Sequence, residues 1–217
     1  MQGGRGVPLV AVAGSRDATG HPSRVVIVKL SVYLSHPPGA GEWNALASVH
    51  HQETDSMDTD ARQVLLHEIT AETVRRITGL AVSLDQQRFV ASNAISLAEA
   101  LFHEEAWYRA IYVGDSPAGF VMLYDESLRA TPPPAPQVGL WRFMIDSTLQ
   151  GRGIGAAALR QVVAHVRSKG LFTSLATSYA PGPGCPEQFY LRAGFRHTGK
   201  VDDGEVVLEL PLVSNSP

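Results

Sequence analysis

Residues 140–155 read LWRFMIDSTLQGRGIG, and this stretch decides the fold of the chain. Its first residues are mostly apolar or aromatic and predict a buried strand, and Asp146 and Ser147 predict the turn that ends it. A loop with three glycines follows. Beyond the loop, apolar residues recur at the spacing of an amphipathic helix, at Leu159, Val162, Val163 and Val166. The stretch therefore predicts a strand, a glycine loop and a helix in succession.

This arrangement favours the binding of a phosphate group. Glycines let the backbone approach an anion closely, the N–H groups of a helix's first turn point at it, and Arg152 adds a positive charge.

A mononucleotide P-loop needs Gly-Lys-Ser/Thr where the helix begins, and this chain continues with Gly-Ala. The dinucleotide fingerprint is matched by Gly151, Gly153 and Ala156. That fingerprint also requires an acid after the next strand, and residues 171–179 contain none.

The loop is similar to the coenzyme A loop of the GNAT acetyltransferases, whose pattern is Gln/Arg-x-x-Gly-x-Gly/Ala. Gln150, Gly153 and Gly155 fill this pattern. A second signature of the family, Tyr-x-x-x-Gly-Phe, is matched by Tyr190 and by Gly194 with the phenylalanine after it. Two linked motifs about 35 residues apart are far more specific than either one alone. On this resemblance the chain is identified as a member of the family.

The resemblance covers about residues 64–212 and implies an α/β (α+β) acyltransferase fold. That fold has a mixed central sheet of about six or seven strands flanked by about four helices. We expect an N-terminal extension over residues 1–60 and the acetyltransferase domain over residues 61–217. The segments that look most like the bacterial spermine/spermidine acetyltransferase branch are residues 89–97, 119–124 and 141–146.

The composition disfavours several classes of protein. With 44% hydrophobic and 18% charged residues, the 217-residue chain can bury the core of one domain plus an extension. A net charge of −3 argues against a broad nucleic-acid surface, and no apolar run approaches the roughly 18 residues that span a membrane. A single cysteine, Cys185, excludes an intrachain disulfide framework and is typical of a reducing cytoplasm. We therefore expect a cytoplasmic protein that binds neither nucleic acid nor membrane.

Residues 1–60 are rich in glycine, proline, serine and histidine and predict a disordered or irregular extension. One strand-like run spans residues 24–34. Residues 7–13 faintly resemble a signal peptide, but the apolar segment is short and contains a proline, so export is disfavoured. His50 and His51 lie near acidic residues, yet paired histidines in such a segment usually bind nothing, and no metal site is predicted.

The remaining segments predict the other elements of this fold. Residues 64–69 predict a first strand and Thr70 a helix cap. Residues 96–99 read SLAE, a capping box that predicts the start of a second helix ending near Trp107. Further along, the chain predicts a hairpin, an exposed proline-rich loop and a last strand at residues 110–124, 131–136 and 205–210.

The resemblance implies transfer of the acetyl group of acetyl-CoA to a primary amine, with no metal ion. An alkyl amine with a pKa of about 10.4 must lose a proton before it attacks, and a leaving thiolate with a pKa of roughly 8.5 benefits from a proton donor. In the family that donor is a tyrosine on the helix after the fifth strand, and Tyr190 occupies its place. The residues expected to hold coenzyme A are Phe143, Met144, Ile145, Gln150, Gly151, Arg152, Gly153, Ile154 and Gly155.

Carboxylates supply the candidates for the base and for the acceptor site. Asp125, Glu126 and Asp146 lie at predicted strand ends and are equal candidates for the proton acceptor, with solvated turn residues as the alternative. Arg142 lies inside a predicted buried strand, so it either faces the acceptor cavity or pairs with a core carboxylate, which we favour. A polyamine needs acidic and aromatic groups around it, and the predicted lining is Glu99, Glu104, Glu105, Trp107 and Asp125. An ordinary charged helix face is an equal alternative.

One segment departs from the family pattern. Members often carry Asn seven residues before the tyrosine and Ala four before it, where this chain has Pro183 and Pro186. The change removes a side chain that usually contacts coenzyme A, and rigid prolines can re-aim the loop. Either weaker coenzyme A binding or a changed acceptor pocket could result. Cys185, between the two prolines, is assigned no role.

Taken together, these patterns predict an acetyl-CoA-dependent N-acetyltransferase that acts on a small primary amine, with spermidine or spermine as the first candidate. Within the same class, the acceptor could instead be a protein N-terminus, an amino acid or an aminoglycoside. From another class, a non-catalytic acyl-CoA-binding sensor remains an alternative. A homodimer is left open.

Overall fold

The computed structural model describes residues 64–212, which form a mixed sheet of seven strands flanked by four helices. The strands are β1 Val64–His67, β2 Ala106–Val113, β3 Ser116–Asp125, β4 Val138–Ile145, β5 Ser174–Tyr179, β6 Arg196–Asp202 and β7 Glu205–Pro211. The helices are α1 Val74–Thr78, α2 Asn93–Ala100, α3 Ile154–Ser168 and α4 Glu187–Arg192. The predicted fold class is confirmed.

The sheet contains one parallel pair among antiparallel ones. Its strand order is β1-β2-β3-β4-β5-β7-β6, and β4 and β5 run parallel while every other neighbouring pair is antiparallel. Helix α3 connects β4 to β5, as a crossover between parallel strands requires. The parallel pair is in register only at Gly139 and Ala176. Beyond that point the two strands separate.

The two faces of the sheet carry separate cores because alternate residues of a strand point to opposite sides. On one face, α3 and α4 pack through residues such as Leu159, Val162 and Tyr190. On the other face, Ile77 of α1 and Leu97 of α2 pack against Phe120 and other strand residues. The predicted apolar stripe of α3 is buried as expected. Both faces of the central strands are therefore covered by helices.

Three local predictions differ from the structure. The SLAE segment is no capping box, because α2 begins earlier: Ser92 is the N-cap, and Ser96 lies inside the helix with its Oγ donating to Ser92 O. Thr70 opens the turn before α1, whose N-cap is Thr73. Helix α2 ends at Ala100, and Trp107 belongs to β2, where strand pairing with β3 outweighs any helical pattern.

Other predictions are confirmed or lie outside the described part. The hairpin is formed by β2 and β3, the closing strand by β7, and residues 131–136 form a loop between β3 and β4. The expected extension, the run at residues 24–34 and the histidines His50 and His51 lie outside the described residues. Within residues 64–212, no helix has the length and apolar character needed to cross a membrane.

Candidate active site

A cleft opens in the middle of the sheet where β4 and β5 separate. Thr177 Oγ1 of β5 donates to Leu140 O of β4 at 3.3 Å, just past the last paired residues. From there a cavity of about 530 Å³ extends between the strands towards the N-terminus of α3. Its size is that of an ordinary small-molecule site. Residues 140–145 of β4 line one wall of it, and residues 177–179 of β5 line the other.

The glycine loop closes one end of this cavity. Gly151 and Gly153 have φ values of 79° and 77°, in the left-handed region that favours glycine, and Gly153 caps α3. Ala157 N donates to Gly153 O at 3.1 Å, so the N–H groups before it in the first turn have no carbonyl partner within the helix. These N–H groups and the positive end of the helix form a setting suited to a phosphate.

The Gln150 side chain holds the loop in place. Its Nε2 donates to Ile145 O at 3.0 Å, which ties the loop to the end of β4. A pair of amide contacts, at 2.9 and 3.0 Å, joins Gln150 to Gln86. Gln150, Gly151, Gly153 and Gly155 all line the cavity. The side chain of Gln150 therefore positions the glycine loop, and the loop presents its backbone to the cavity.

Tyr190 lies on α4 and lines the cavity near the point where the strands part. Its side chain is only 6% exposed and packs against the rings of Phe189 and Phe195. Burial raises the pKa of Tyr190 to about 12, although a hydrogen bond with Thr177 opposes the rise. The phenol is thus kept protonated over the whole neutral range. A protonated phenol beside the cleft can serve as a proton donor.

Two acidic side chains lie near the same cavity, Glu99 on helix α2 and Glu205 on strand β7. Glu99 of α2 accepts a hydrogen bond from Arg142 Nη2 at 2.9 Å, and Arg142 itself is 2% exposed. Burial lowers the pKa of Arg142, and the charge of Glu99 opposes this shift. Glu205 of β7 accepts a hydrogen bond from Ser178 Oγ, and Ser178 lines the cavity. The favoured ion pair of Arg142 with a carboxylate is confirmed.

The three strand-end carboxylates predicted as base candidates are engaged elsewhere. Asp125 is 1% exposed, receives hydrogen bonds from Ser127, and forms an ion pair with Lys169. Glu126 accepts from Gln137 N at 2.9 Å and pairs with Arg129. None of the three carboxylates, with Asp146 the third, is among the residues that line the cavity between β4 and β5.

Asp146 shows how hydrogen bonds from neighbouring groups can satisfy a carboxylate at the end of a strand. Its Oδ1 accepts from Thr148 N at 3.1 Å and from Thr148 Oγ1 at 2.6 Å, and its Oδ2 accepts from Ala81 N at 3.0 Å. Burial acts to raise the pKa of Asp146, but the hydrogen bonds from Thr148 and Ala81 outweigh it and lower the pKa. A carboxylate satisfied in this way is a weak proton acceptor.

The predicted acceptor lining is only partly brought together. Trp107 stacks on His165 of α3, with ring centroids 4.3 Å apart, and so lies on the face opposite α2. Glu104 Oε2 accepts from Ala130 N at 2.9 Å, and Glu105 pairs with Arg129. Glu99 contacts a residue that lines the cavity, Arg142.

The proline-containing segment before α4 forms part of the cavity wall. Cys185 and Pro186 line the cavity, and Gly182 and Gly184 have φ values of 146° and 77°. Arg88 donates a hydrogen bond to Pro183 O from across the cleft. The backbone carbonyl of Pro183 thus anchors this loop to the segment before α2.

The cavity also contains residues that the sequence did not single out. They include Val82, Phe89, Val90, Thr177, Ser178, Tyr179 and Phe189. Thr177 and Ser178 are consecutive hydroxyl residues in a buried strand, a signal that could have marked them. No comparable signal points to Glu205, which reads only as the start of a strand. Within residues 64–212, no cluster of histidine, cysteine and acidic side chains is arranged to hold a metal ion.

Comparison with known proteins links this geometry to one family. A sequence model described as the acetyltransferase (GNAT) family matches residues 77–195, a segment that contains both the glycine loop and Tyr190. No curated protein matches the chain.

Solved structures share the fold at low sequence identity. An aminoglycoside acetyltransferase, AAC(6')-Ib in complex with coenzyme A, is 17% identical with a TM-score of 0.56, over 68% of this chain and 94% of that one. The ribosomal-protein-S18-alanine N-acetyltransferase from Escherichia coli is 14% identical with a TM-score of 0.50, over 71% and 99%. A KacTA-DNA complex is 24% identical with a TM-score of 0.51, over 69% and 94%. These likenesses show the fold alone, so the expectation that this chain binds no nucleic acid stays a prediction.

Proposed function

The chain belongs to the acetyltransferase (GNAT) family, and from this premise we propose that it transfers the acetyl group of acetyl-CoA to a primary amine of a small molecule. We propose a polyamine, such as spermidine or spermine, as the first candidate acceptor. The observation that carries the proposal is the cleft between β4 and β5, which has the glycine loop at one end and the buried phenol of Tyr190 beside it.

The proposed coenzyme site uses the backbone more than the side chains. The N–H groups of Gly151, Arg152, Gly153, Ile154 and Gly155 would hold the pyrophosphate, because they cluster at the positive end of α3. Gln150 supports this loop from the end of β4. Beyond Gly139, β4 has no register partner on β5. Because successive residues of a strand direct their N–H and C=O groups to opposite sides, alternate residues of the segment Phe143, Met144 and Ile145 would offer these groups to the amide-rich arm of coenzyme A.

Tyr190 is proposed as the acid that protonates the departing sulfur. Because its pKa is raised to about 12 by burial, the phenol carries its proton at neutral pH. A thiolate with a pKa of roughly 8.5 leaves more readily when a proton is delivered to it in the transition state. Its neighbours Thr177 and Phe195 hold the ring at the wall of the cleft.

The charges around the cleft support a cationic acceptor. Glu99 and Glu205 both lie close to residues that line the cavity, through Arg142 and Ser178 respectively. Arg142 offsets one of these two negative charges. The negative charge near the cavity would favour a second ammonium group of a bound polyamine through electrostatic attraction. The solved structures of similar fold act on different acceptors, so they do not select one for this chain.

The experiment that tests the proposal measures release of the free thiol of coenzyme A from acetyl-CoA. The acceptor panel contains spermidine, spermine, short diamines, amino acids, peptides and aminoglycosides, and calorimetry measures acetyl-CoA binding in parallel. Selective turnover of polyamines is the expected result. Selective turnover of another amine would support the proposed acetyltransferase activity but identify a different acceptor. Binding of acetyl-CoA without turnover of any amine would overturn the catalytic proposal in favour of an acyl-CoA sensor.

A further inference from the structure

Residues 81–90, the connecting segment between α1 and α2, form a third side of the cavity. Val82, Gln86, Phe89 and Val90 line it, and Val82 and Val90 also pack against the core on the α1–α2 face of the sheet. The residues between these two valines are exposed or half-buried. Apolar packing therefore holds the two ends of the connecting segment, whereas its middle part depends more on polar contacts.

Gln86 joins the middle of the connecting segment to the glycine loop. Its Nε2 donates to Gln150 Oε1 at 3.0 Å, and Gln150 Nε2 donates in return to Gln86 Oε1 at 2.9 Å. Gln150 Nε2 also donates to Ile145 O at 3.0 Å, which uses both N–H groups of its amide. The side chain that positions the glycine loop is therefore bonded directly to a residue of another cavity wall.

The amide pair connects the two faces of the sheet. The connecting segment packs on the α1–α2 face, and the glycine loop begins α3, which packs on the other face. Gln86 and Gln150 are 64 residues apart in the chain. A second contact of the same kind joins Arg88 to Pro183 O, in the loop before α4. The connecting segment thus bridges the loops that precede α3 and α4.

The glycine loop is the part of this assembly that a bound phosphate would immobilise. Gly151 has a φ of 79°, and a Cβ placed on it would meet no atom within 4 Å, so the loop is open at this point. Glycine has more conformational freedom to lose than any other residue. A phosphate bound to the loop N–H groups would restrict this freedom and fix Gln150. Through the amide pair, the restriction would extend to Gln86 and to the cavity wall that it belongs to.

We propose that the Gln86–Gln150 pair couples the two substrates, so that the amine binds more tightly once coenzyme A occupies the glycine loop. This inference rests on the proposed acetyl transfer. Gln86 is a positioning residue, because it acts through Gln150 and takes no part in the bond changes. A first ligand that orders the shared structure leaves less conformational entropy for the second ligand to lose, and the resulting coupling is equal in both directions.

The test measures this coupling by calorimetry. The best acceptor from the panel is titrated into the free chain and into the chain saturated with free coenzyme A, which fills the loop but carries no acetyl group to transfer. The dissociation constant of the acceptor should fall by about fivefold or more. The reverse titration, of coenzyme A into the chain with and without acceptor, should give the same factor. Equal dissociation constants with and without coenzyme A would overturn the inference.

Two neighbouring glutamines give a matched pair of variants. Gln86→Ala removes both hydrogen bonds to Gln150, and the coupling factor should fall close to one. Gln87→Ala makes the same chemical change one residue further on, at an exposed side chain, and should keep the wild-type factor. If Gln86→Ala also keeps the wild-type factor, the coupling does not pass through the amide pair.

A double-mutant cycle separates coupling from general damage to the cavity. Gln150→Ala removes the other half of the pair and should lower the coupling factor as Gln86→Ala does. The double variant should lose no more coupling than either single variant, because both remove the same interaction. If the two losses of coupling free energy add instead, the residues act separately and the inference is wrong.

The two proposals fail in different ways. If the wild-type chain turns over no amine, the proposed function fails, and the inference falls with it. If the wild-type chain is active but coenzyme A does not tighten acceptor binding, or Gln86→Ala leaves the tightening intact, the coupling alone is overturned.

Discussion

Arg142 Nη2 lies 2.9 Å from Glu99 Oε2, and this contact joins the middle of β4 to the end of helix α2. The Arg142 side chain is 1% exposed and that of Glu99 is 21% exposed, so the pair is shielded from most of the solvent. Arg142 Nη1 also donates to Trp141 O at 3.0 Å, and its Nε is buried without a hydrogen-bond partner. Glu99 is therefore the main compensation for a buried positive charge at the edge of the cavity.

Glu99→Gln should destabilise the protein strongly. The substitution keeps the shape of the side chain but leaves the Arg142 charge buried without its carboxylate, which costs about 3 kcal/mol in comparable buried pairs. Urea denaturation followed by circular dichroism measures the difference. A change below about 0.5 kcal/mol, the range of an ordinary surface substitution, would show that the pair does not support the fold.

The double variant Glu99→Leu/Arg142→Met tests the same pair from the other side. Removing both charges also removes the free-energy cost of burying them away from water. The free energy of unfolding of the double variant should therefore be close to that of the wild type. If the double variant is as unstable as Glu99→Gln, the loss comes from packing and not from the uncompensated charge.

Lys169→Met should destabilise the protein without changing the KM for the amine. Lys169 forms an ion pair with Asp125, which is 1% exposed at the end of β3, and breaking such a pair costs about 3 kcal/mol. The pair lies outside the cavity lining. Thermal unfolding and KM are measured at a temperature where both proteins are folded. A clear rise in the KM for the amine would contradict this prediction and show that Asp125 contributes to the acceptor site.

The parts of this site that could be predicted from sequence are those encoded locally. The glycine loop, the apolar face of α3 and the tyrosine on α4 each depend on spacing within one segment. The structure places the loop and the tyrosine at one cleft and buries the apolar face of α3 in the core. Gly153 illustrates the reason: its φ of 77° is a property of a single residue that glycine alone adopts easily.

The contacts that decide the charges could not be predicted in the same way. Arg142 and Glu99 are 43 residues apart in the chain, and Ser178 and Glu205 are 27 apart. Each pair depends on strand register and on which helix covers which face, and neither is visible in a local pattern. The prediction from the SLAE segment was wrong for a different, local reason: a serine within a helix can donate a hydrogen bond to the preceding turn, as Ser96 does to Ser92.

Tyr190→Phe should lower kcat by about 10²-fold and leave acetyl-CoA binding nearly intact. The substitution removes the hydroxyl proposed to protonate the sulfur and keeps the buried ring. Thiol release and calorimetry measure the two effects. Tyr124→Phe, the same change on β3 outside the cavity, is the matched control. Unchanged turnover in Tyr190→Phe would remove this residue from the mechanism.

The same variant should also change the alkaline stability of the protein. The folded pKa of Tyr190, about 12, lies above the value of 10.0 expected when it is exposed, so the folded state keeps a proton that the unfolded state loses between these values. This contribution to stability is fully present below about pH 10 and is lost as the pH rises towards 12. In Tyr190→Phe the decline should be shallower. An identical decline would show that the phenol is not buried in solution.

Gly153→Val should abolish measurable binding of acetyl-CoA. Gly153 has a φ of 77°, and a β-branched side chain in that region is strained by about 1–3 kcal/mol, so the loop should change its shape. The new side chain would also occupy the space at the start of α3 that a phosphate needs. Calorimetry measures the dissociation constant.

A second glycine of the same helix separates strain from binding. Gly170 has a φ of 64° just beyond the C-terminal end of α3, and a Cβ placed there would meet no atom within 4 Å. Gly170→Val should therefore carry a similar backbone strain, and a similar loss of stability, far from the loop. If it keeps the wild-type dissociation constant while Gly153→Val loses binding, the loss belongs to the loop. If both bind acetyl-CoA normally, the glycine loop is not the coenzyme site.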